Sequence, residues 1–298
     1  MNRRTFHQIL GSASALAMIQ PMSLFSARSK AMDRIGMSTV NFRNRFAGTK
    51  SDSHPSASGR EMTLLEVPEF FADRFQLHNV EFWSKHFANL EVAYLTELKA
   101  AIAKSKSTLI NIQCDEKIDL GSSDLTKRRE SLNTAQIWLD VANFMGAGGI
   151  RFNPGKGDPA LAIDSFKILN QSAKRYGIKL MSENHFGMEM DTDVHLKIVE
   201  EVGENMYTLP DFGNYSEEAR FESLKAILPY AYQVSAKTIE FDKQGNHVSF
   251  DFDKCMQLAV DSGFKGIFSV EQWSKKPTGL SDDKIADWMI EHVKPYCL

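Results

Sequence analysis

Three carboxylate side chains follow short apolar runs in the second half of the chain, and a lysine ends a fourth run. The carboxylates are Glu183, Asp211 and Glu271, and the lysine is Lys237. Carboxylates brought to one place repel each other unless one is protonated or a cation lies between them. Hard divalent ions such as Mg²⁺ and Mn²⁺ prefer oxygen-rich sites of this kind. The pattern therefore predicts an acid–base site that contains a metal ion.

A structural explanation competes with the metal site. Acidic residues are common at helix starts, so each carboxylate could cap the helix that follows it. Each could also pair with a basic side chain such as Arg151 or Lys237. Because the carboxylates recur at three matching positions, a shared site is favoured over three separate caps.

The spacing of these residues predicts the elements that position them. The intervals from Glu183 to Asp211, from Asp211 to Ser235 and from Ser235 to Glu271 are 28, 24 and 36 residues. Each interval leaves room for one crossover helix and two loops. Polar groups at the carboxyl ends of apolar strands mark the active site of a parallel α/β protein. The period predicts a single-domain α/β fold, the (β/α)8 TIM barrel.

Apolar runs and helical periodicity in the rest of the chain complete this architecture. Each predicted strand is followed by a segment with apolar residues at helical spacing. Two polar segments, 44–60 and 238–252, are interpreted as long loops over the mouth of the barrel. The predicted strands lie at 34–40, 78–83, 107–115, 149–155, 178–181, 207–210, 230–237 and 266–270.

Composition and the first residues limit the class of protein. The chain has 298 residues and a formal net charge of −3, with no long basic run, so nucleic acid is not expected as a partner. A barrel takes roughly 250 residues, which assigns 32–298 to the barrel and 1–31 to a leader.

Arg3 and Arg4 precede a short, weakly apolar run, which resembles a twin-arginine export signal and predicts a periplasmic protein. The run is too short to span a bilayer, so no stable membrane insertion is expected after processing.

Four motifs at the predicted strand ends carry a family resemblance. E-N-H-F-G follows strand five, D-F-G-N follows strand six, Q-V-S-A-K lies in strand seven and V-E-Q-W ends strand eight. In this order and spacing they resemble the xylose-isomerase-like barrels, the superfamily of sugar phosphate isomerases and epimerases and of endonuclease IV. The resemblance covers about 33 to 296 and implies a divalent metal, Mn, Mg, Co or Zn, held by two glutamates, an aspartate and a histidine.

The resemblance assigns Glu183, Asp211 and Glu271 as metal ligands, and Glu183 and Glu271 as the pair that transfers a proton next to a carbonyl. The histidine of strand seven is absent from this chain. Ser235 or Gln233 stands in its region and could give an oxygen ligand, and His185 or His247 could supply a nitrogen from a neighbouring loop. Lys237 and Arg151 are expected to stabilise the enediolate oxygen. The expected sugar-binding residues are Trp83, His86, Arg151, Asn153, His185 and Trp273.

The predicted function is a sugar isomerase or epimerase with a small-molecule carbohydrate as its substrate. Two alternatives stay open, a lyase or hydratase acting on 3-keto-glycosides and a non-catalytic carbohydrate-binding barrel with a degenerate metal site. DNA repair is disfavoured, because the endonuclease members use more histidines than this chain supplies and because the protein carries no clustered basic face.

Overall fold

The computed structural model of the chain describes residues 31–51, 59–274 and 279–297. The predicted leader at 1–31 lies outside the described residues except for Ala31, so the export signal stays a prediction. Residues 52–58 of the predicted mouth loop also lie outside the described part. No described helix is both long enough and apolar enough to cross a membrane.

Within the described residues, eight parallel strands form one sheet: β1 (Ile35–Ser38), β2 (Asn79–Trp83), β3 (Thr108–Gln113), β4 (Gly149–Arg151), β5 (Lys179–Glu183), β6 (Met206–Leu209), β7 (Gln233–Thr238) and β8 (Ile267–Gln272). Consecutive strands are neighbours from β1 to β6, and β1 also pairs with β8, which pairs with β7. Isolated bridges join Thr208 to Ala231 and Asp211 to Ser235 across the remaining gap. The predicted (β/α)8 barrel is confirmed.

The main helices lie between the strands and after the last one: α1 (Val67–Phe75), α2 (Val92–Lys104), α3 (Leu125–Met145), α4 (Pro159–Tyr176), α5 (Thr192–Val202), α6 (Arg220–Ile227), α7 (Phe252–Asp261) and α8 (Asp282–Val293). Along α4, Ala162, Phe166, Leu169 and Ala173 are buried at a spacing of three to four residues. This face covers the sheet from outside, and burying Phe166 alone stabilises the fold by about 1.5–3 kcal/mol.

The two ends of α4 show how the sequence places Glu183. The carboxylate of Asp158 accepts hydrogen bonds from Ala160 N (2.7 Å) and Leu161 N (3.4 Å), which satisfies free N–H groups at the helix start. Gly177 ends the helix in the left-handed region (φ 71°), where a side chain would be strained. The chain then enters β5, which carries Glu183 to the carboxyl end of the barrel.

The segment after β1, Thr39–Arg45, forms 3-10 turns on either side of a kink at Phe42, whereas the sequence predicted an open loop from residue 44. Arg43 donates a hydrogen bond to the carbonyl of Gln272 (2.8 Å), and Arg45 donates one to Asp282 (2.7 Å). Both arginines are buried. These contacts anchor the described start of the predicted mouth loop to β8 and α8.

Candidate active site

The carboxyl ends of the strands open into a cavity of about 1130 Å³. This is the end of a barrel at which TIM-barrel enzymes have their active sites. The predicted site residues that line the cavity are Trp83, Arg151, Asn153, Glu183, His185, Lys237, Glu271 and Trp273. The fold therefore brings most of the predicted catalytic and sugar-binding residues to one place.

The ammonium group of Lys237 lies among three oxygen atoms. Its Nζ is 3.3 Å from Oδ2 of Asp211 and 3.2 Å from Oε1 of Glu271. It also donates a hydrogen bond to Oδ1 of Asn214 (2.9 Å). An ammonium group has three N–H donors and no acceptor, so three oxygens match its capacity. Lys237 is the shared cationic partner of two of the three predicted metal ligands.

Asp211 is fully buried and does not line the cavity. Its Oδ1 accepts hydrogen bonds from the backbone N–H groups of Gly213 (2.8 Å) and Asn214 (3.0 Å). The stem of Lys237 passes close to Gly213, where an added Cβ atom would lie 3.0 Å from Cδ of the lysine. The glycine of the D-F-G-N motif therefore leaves room for the lysine beside the aspartate.

Glu183 has a different cationic partner, Arg151. Nε of Arg151 lies 2.8 Å from Oε2 of Glu183, and the same guanidinium pairs with Asp115 just beyond β3. Asp115 in turn accepts a hydrogen bond from the indole Nε1 of Trp83 (2.6 Å). Two carboxylates and a tryptophan thus fix the position of the buried guanidinium and, through it, the position of Glu183.

Two amide side chains complete the network. Asn214 donates a hydrogen bond to Oε1 of Glu183 (3.2 Å) and accepts one from Lys237, so it connects the two ion-paired groups. Gln113 donates from Nε2 to Oε2 of Glu271 (2.7 Å). Both glutamates are therefore held by one cation and one amide each.

Burial and the neighbouring charges set the pKa values of the three acids. Burial raises the pKa of Glu183 to about 7 against the opposing effect of Arg151. Burial also raises the pKa of Asp211 to about 7, although Lys237 acts in the other direction. For Glu271, burial acts upward, but Lys237 and other partners outweigh it and leave the pKa below its usual value. Glu183 and Glu271 thus differ in how readily they take up a proton.

Two histidines suggested by the sequence lie away from the cavity. His86 stacks on Phe46, with ring centroids 3.7 Å apart, and its Nδ1 shares a hydrogen bond with Oγ1 of Thr39 (2.9 Å). These contacts hold the segment after β1 against β2. His247 accepts a hydrogen bond from the backbone N–H of Ile239 (3.2 Å) and lies among aromatic rings. Neither histidine lines the cavity.

The two residues that stand near the expected strand-seven histidine are also buried beneath the cavity lining. Gln233 donates a hydrogen bond to the carboxylate of Glu81, and Oγ of Ser235 has no hydrogen-bond partner. Sequence reasoning assigned no role to Glu81, Asp115, Gln113 or Asn214. Gln113 and Asp115 lie at and just beyond the end of β3 in the motif N-I-Q-C-D, and Asn214 lies in D-F-G-N after β6. Glu81 lies in the middle of β2 and carries no such signal.

The arrangement of the donors does not fit the divalent ion that the resemblance implies. Lys237 lies within 3.3 Å of both Asp211 and Glu271, and Arg151 contacts Glu183. In the part of the chain that the structure describes, no group of three or more His, Cys, Asp or Glu side chains is placed to hold a metal ion. The metal stays a prediction, whereas pairing with Arg151 and Lys237 is the alternative that the structure shows.

Solved structures share this fold. A xylose isomerase-like TIM barrel protein from Mycobacterium smegmatis in complex with magnesium is 16% identical (TM-score 0.62) and covers 89% of this chain and 98% of its own. The 3-keto-D-glucoside 4-epimerase from E. coli is 15% identical (TM-score 0.60) and covers 86% and 98%. The probable 3-DHS dehydratase from Bacillus anthracis is 15% identical (TM-score 0.62) and covers 87% and 97%.

At these identities the solved structures show the fold alone. A comparison with curated proteins finds no match. A family model described as a xylose isomerase-like TIM barrel matches residues 72–296, which is more than half of the chain. The chain belongs to the xylose isomerase-like TIM barrel family.

Proposed function

We propose that this protein transfers a proton at a carbon next to a carbonyl group of a carbohydrate, as an epimerase or isomerase. The observation that carries the proposal is the pair of glutamates, Glu183 and Glu271, which line one cavity and are each held by a cation and an amide. One carboxyl group removes the proton, and the other returns a proton to the opposite face or to the neighbouring carbon.

The cations of the site supply the electrostatic part of this reaction. Removing a proton beside a carbonyl produces an enediolate, whose negative oxygen must be stabilised. Arg151 and Lys237 line the same cavity and are held in position by carboxylates before a substrate arrives. Donors that are already oriented stabilise developing charge without reorganisation. We assign stabilisation of the enediolate oxygen to the positive charges of these two side chains, since the three N–H donors of Lys237 already point at Asp211, Glu271 and Asn214.

The charges around the cavity favour a neutral carbohydrate over a sugar phosphate. Among the described residues, its lining includes seven acidic and four basic side chains. Lys85 pairs with Glu116 (3.1 Å), and Arg151 and Lys237 are paired as described above. Lys156 is the remaining lysine of the lining, and an anionic phosphate would meet more acidic than basic side chains there. The lining is therefore a poor phosphate site.

A lyase or hydratase that acts on 3-keto-glycosides is the second candidate. It begins with the same removal of a proton, and it then expels a substituent instead of returning the proton. The cavity of about 1130 Å³ exceeds the usual range for small-ligand pockets, which leaves room for a substituent beyond one sugar ring. Two solved proteins of similar fold, a 3-keto-D-glucoside 4-epimerase and a probable 3-DHS dehydratase, support a reaction of one of these two kinds.

The test is proton exchange in deuterated water, followed by NMR with a panel of ketohexoses and 3-keto-glucosides. We expect deuterium at the carbon beside the carbonyl of one substrate, with an epimer or ketose–aldose isomer as product. Loss of a substituent would select the lyase. Glu183→Gln and Glu271→Gln should lower the exchange rate by about 10³-fold, while Glu97→Gln on the exposed side of α2 should leave it unchanged. Binding of the sugars without any exchange would refute the proposal in favour of a binding module.

We also propose that the protein is exported through the twin-arginine route. The proposal is supported by Arg3 and Arg4 ahead of a weakly apolar run. Replacing both with lysine should leave the protein in the cytoplasm, measured by cell fractionation. Periplasmic delivery of that double variant would refute the assignment.

A further inference from the structure

We propose that the ammonium group of Lys237 is the resident cation of this site, in the place where the family resemblance puts a divalent ion between Asp211 and Glu271. The inference concerns the same cavity as the proposed function, but it is a statement about metal binding and holds or fails independently of any reaction. It also extends the function, since it makes the enzyme one that does not require a divalent ion.

The contacts of the Lys237 ammonium group support this assignment. Nζ of Lys237 lies within 3.3 Å of oxygens from Asp211, Glu271 and Asn214. A metal ion bound by these carboxylates would need oxygens at about 2.0–2.6 Å. The ammonium group already stands between the two carboxylates, so an ion could take this place only after the lysine had left it.

Packing is the second argument. Lys237 is 5% exposed, and its stem lies against Gly213, where even a Cβ atom would be in close contact. Asp211 is 0% exposed and lies next to the lysine, outside the cavity lining. A surface lysine that had only moved over a metal site would leave Asp211 accessible from the cavity. The side chain of Lys237 is instead packed as part of the cavity wall.

The residue at the missing ligand position is the third argument. Ser235 pairs with Asp211 across an isolated bridge, so a ligand at this position would stand beside the aspartate. Its hydroxyl group is buried and has no hydrogen-bond partner. Zinc and similar ions favour an imidazole, and a serine hydroxyl replaces it poorly. The absence of the imidazole and the position of the lysine ammonium between the carboxylates are thus two separate observations, and both support a site without a metal ion.

The test is the binding of Mn²⁺ by the purified full chain, measured by isothermal titration calorimetry and by elemental analysis after dialysis. We expect the wild type to bind no Mn²⁺ and its Tm to be unchanged by Mn²⁺ or by EDTA. Lys237→Ala should lower the Tm, because two buried carboxylates lose their partner, and Mn²⁺ should restore it. Ser235→His/Lys237→Ala should bind one Mn²⁺ per chain more tightly than Lys237→Ala alone. Lys156→Ala, an exposed lysine of the same cavity lining, is the matched control and should gain no binding.

The outcomes separate the possibilities. One equivalent of Mn²⁺ bound by the wild type would overturn the proposal, whatever the variants do. Failure of a folded Ser235→His/Lys237→Ala variant to bind Mn²⁺ would also overturn it, because removing the lysine would then have exposed no cation site. If the alanine variants do not fold, Lys237→Met keeps the stem of the side chain and takes their place. Because none of these measurements uses a sugar, they cannot be confused with failure of the proposed reaction.

Discussion

The buried glutamates Glu183 and Glu271 on the cavity wall differ in their surroundings from the buried Glu81 beneath it. On the cavity wall, Glu183 and Glu271 are each paired with a cation, Arg151 or Lys237. Beneath that wall, Glu81 is fully buried and does not line the cavity, and its hydrogen-bond partners are amides. A buried charge without a cation is costly, and such a group tends to become neutral instead. The wall supplies Glu183 and Glu271 with a fixed cation each, whereas the floor supplies Glu81 with amide donors.

The amides of the floor explain how Glu81 is tolerated. Its oxygens accept hydrogen bonds from Asn111 (3.1 Å), Gln113 (2.6 Å) and Gln233. Burial, followed by repulsion from Glu271, raises the pKa of Glu81 to about 7. Because Gln113 also bonds Glu271, it is the one residue described above that joins the floor to the wall. Burial alone therefore does not mark a catalytic glutamate, whereas a fixed cation together with access to the cavity does.

The largest expected effect separates wall from floor by activity. Replacing Glu271 or Glu183 by glutamine removes a proton acceptor from the cavity, which should lower the exchange rate by about 10³-fold. Glu81→Gln should keep the rate within about tenfold, because this residue does not line the cavity. Deuterium exchange measured by NMR checks both. Equal losses of exchange rate in the Glu183→Gln, Glu271→Gln and Glu81→Gln variants would contradict this distinction.

The next effect concerns stability and a third buried group, His195 of α5. Burial lowers its pKa to about 4, and its ring bonds the carbonyl of Ser182 (3.1 Å). The unfolded chain binds this proton near pH 6.5, so stability is fully present above that pH and is lost as the pH falls toward 4. The loss should reach about 3 kcal/mol. Urea unfolding as a function of pH measures it, and His195→Gln should flatten this part of the profile; an unchanged profile would contradict the assignment.

A smaller effect tests the floor by stability. Glu81→Ala leaves three buried amides without their common acceptor, which should lower the free energy of unfolding by about 2 kcal/mol. Glu81→Gln keeps the volume and should cost less. Chemical denaturation of both variants provides the measurement. A destabilised Glu81→Ala protein with a retained exchange rate would sharpen the distinction, while a stable but inactive one would move Glu81 into the catalytic group.

The smallest expected effect acts on the wall through its packing. Gly213→Ala adds a methyl group 3.0 Å from Cδ of Lys237 and should displace the ammonium slightly. We expect the exchange rate to fall by about tenfold, since small displacements of catalytic groups have effects of this order or larger. Gly48→Ala, whose Cβ would meet nothing closer than 3.7 Å, is the control. An unchanged rate for Gly213→Ala would show that the lysine position tolerates this shift.

Much of the fold could be predicted from residue types and spacing. Intervals of 24 to 36 residues between strand-end residues, with helical periodicity between them, specify alternating strands and helices before any contact is known. The same logic placed Glu183, Glu271, Lys237 and Arg151 at one end of the barrel. The order of strands in the barrel determines which strand ends meet, and the alternation of strand and helix patterns in the sequence predicts that order.

The partners within the site could not be predicted in the same way. The sequence offers Arg151 and Lys237 as possible partners of the carboxylates, but it cannot show which cation meets which acid. The structure pairs Lys237 with Asp211 and Glu271. His86 resembled a sugar ligand because it follows a strand end, but tertiary packing turns it onto Phe46. Gln113 was overlooked because a neutral amide carries no charge pattern, although its position between two carboxylates gives it a structural role.

The measurement that tests the account most directly is deuterium exchange catalysed by the wild-type protein after exhaustive EDTA treatment, with the ketohexose and 3-keto-glucoside panel. The account predicts exchange at the carbon beside the carbonyl of one substrate, at the same rate with and without EDTA, because Glu183, Glu271 and the two fixed cations supply the chemistry. Exchange that vanishes with EDTA and returns with Mn²⁺ would contradict the role given to Lys237. No exchange with any substrate of the panel would contradict the proposed function itself.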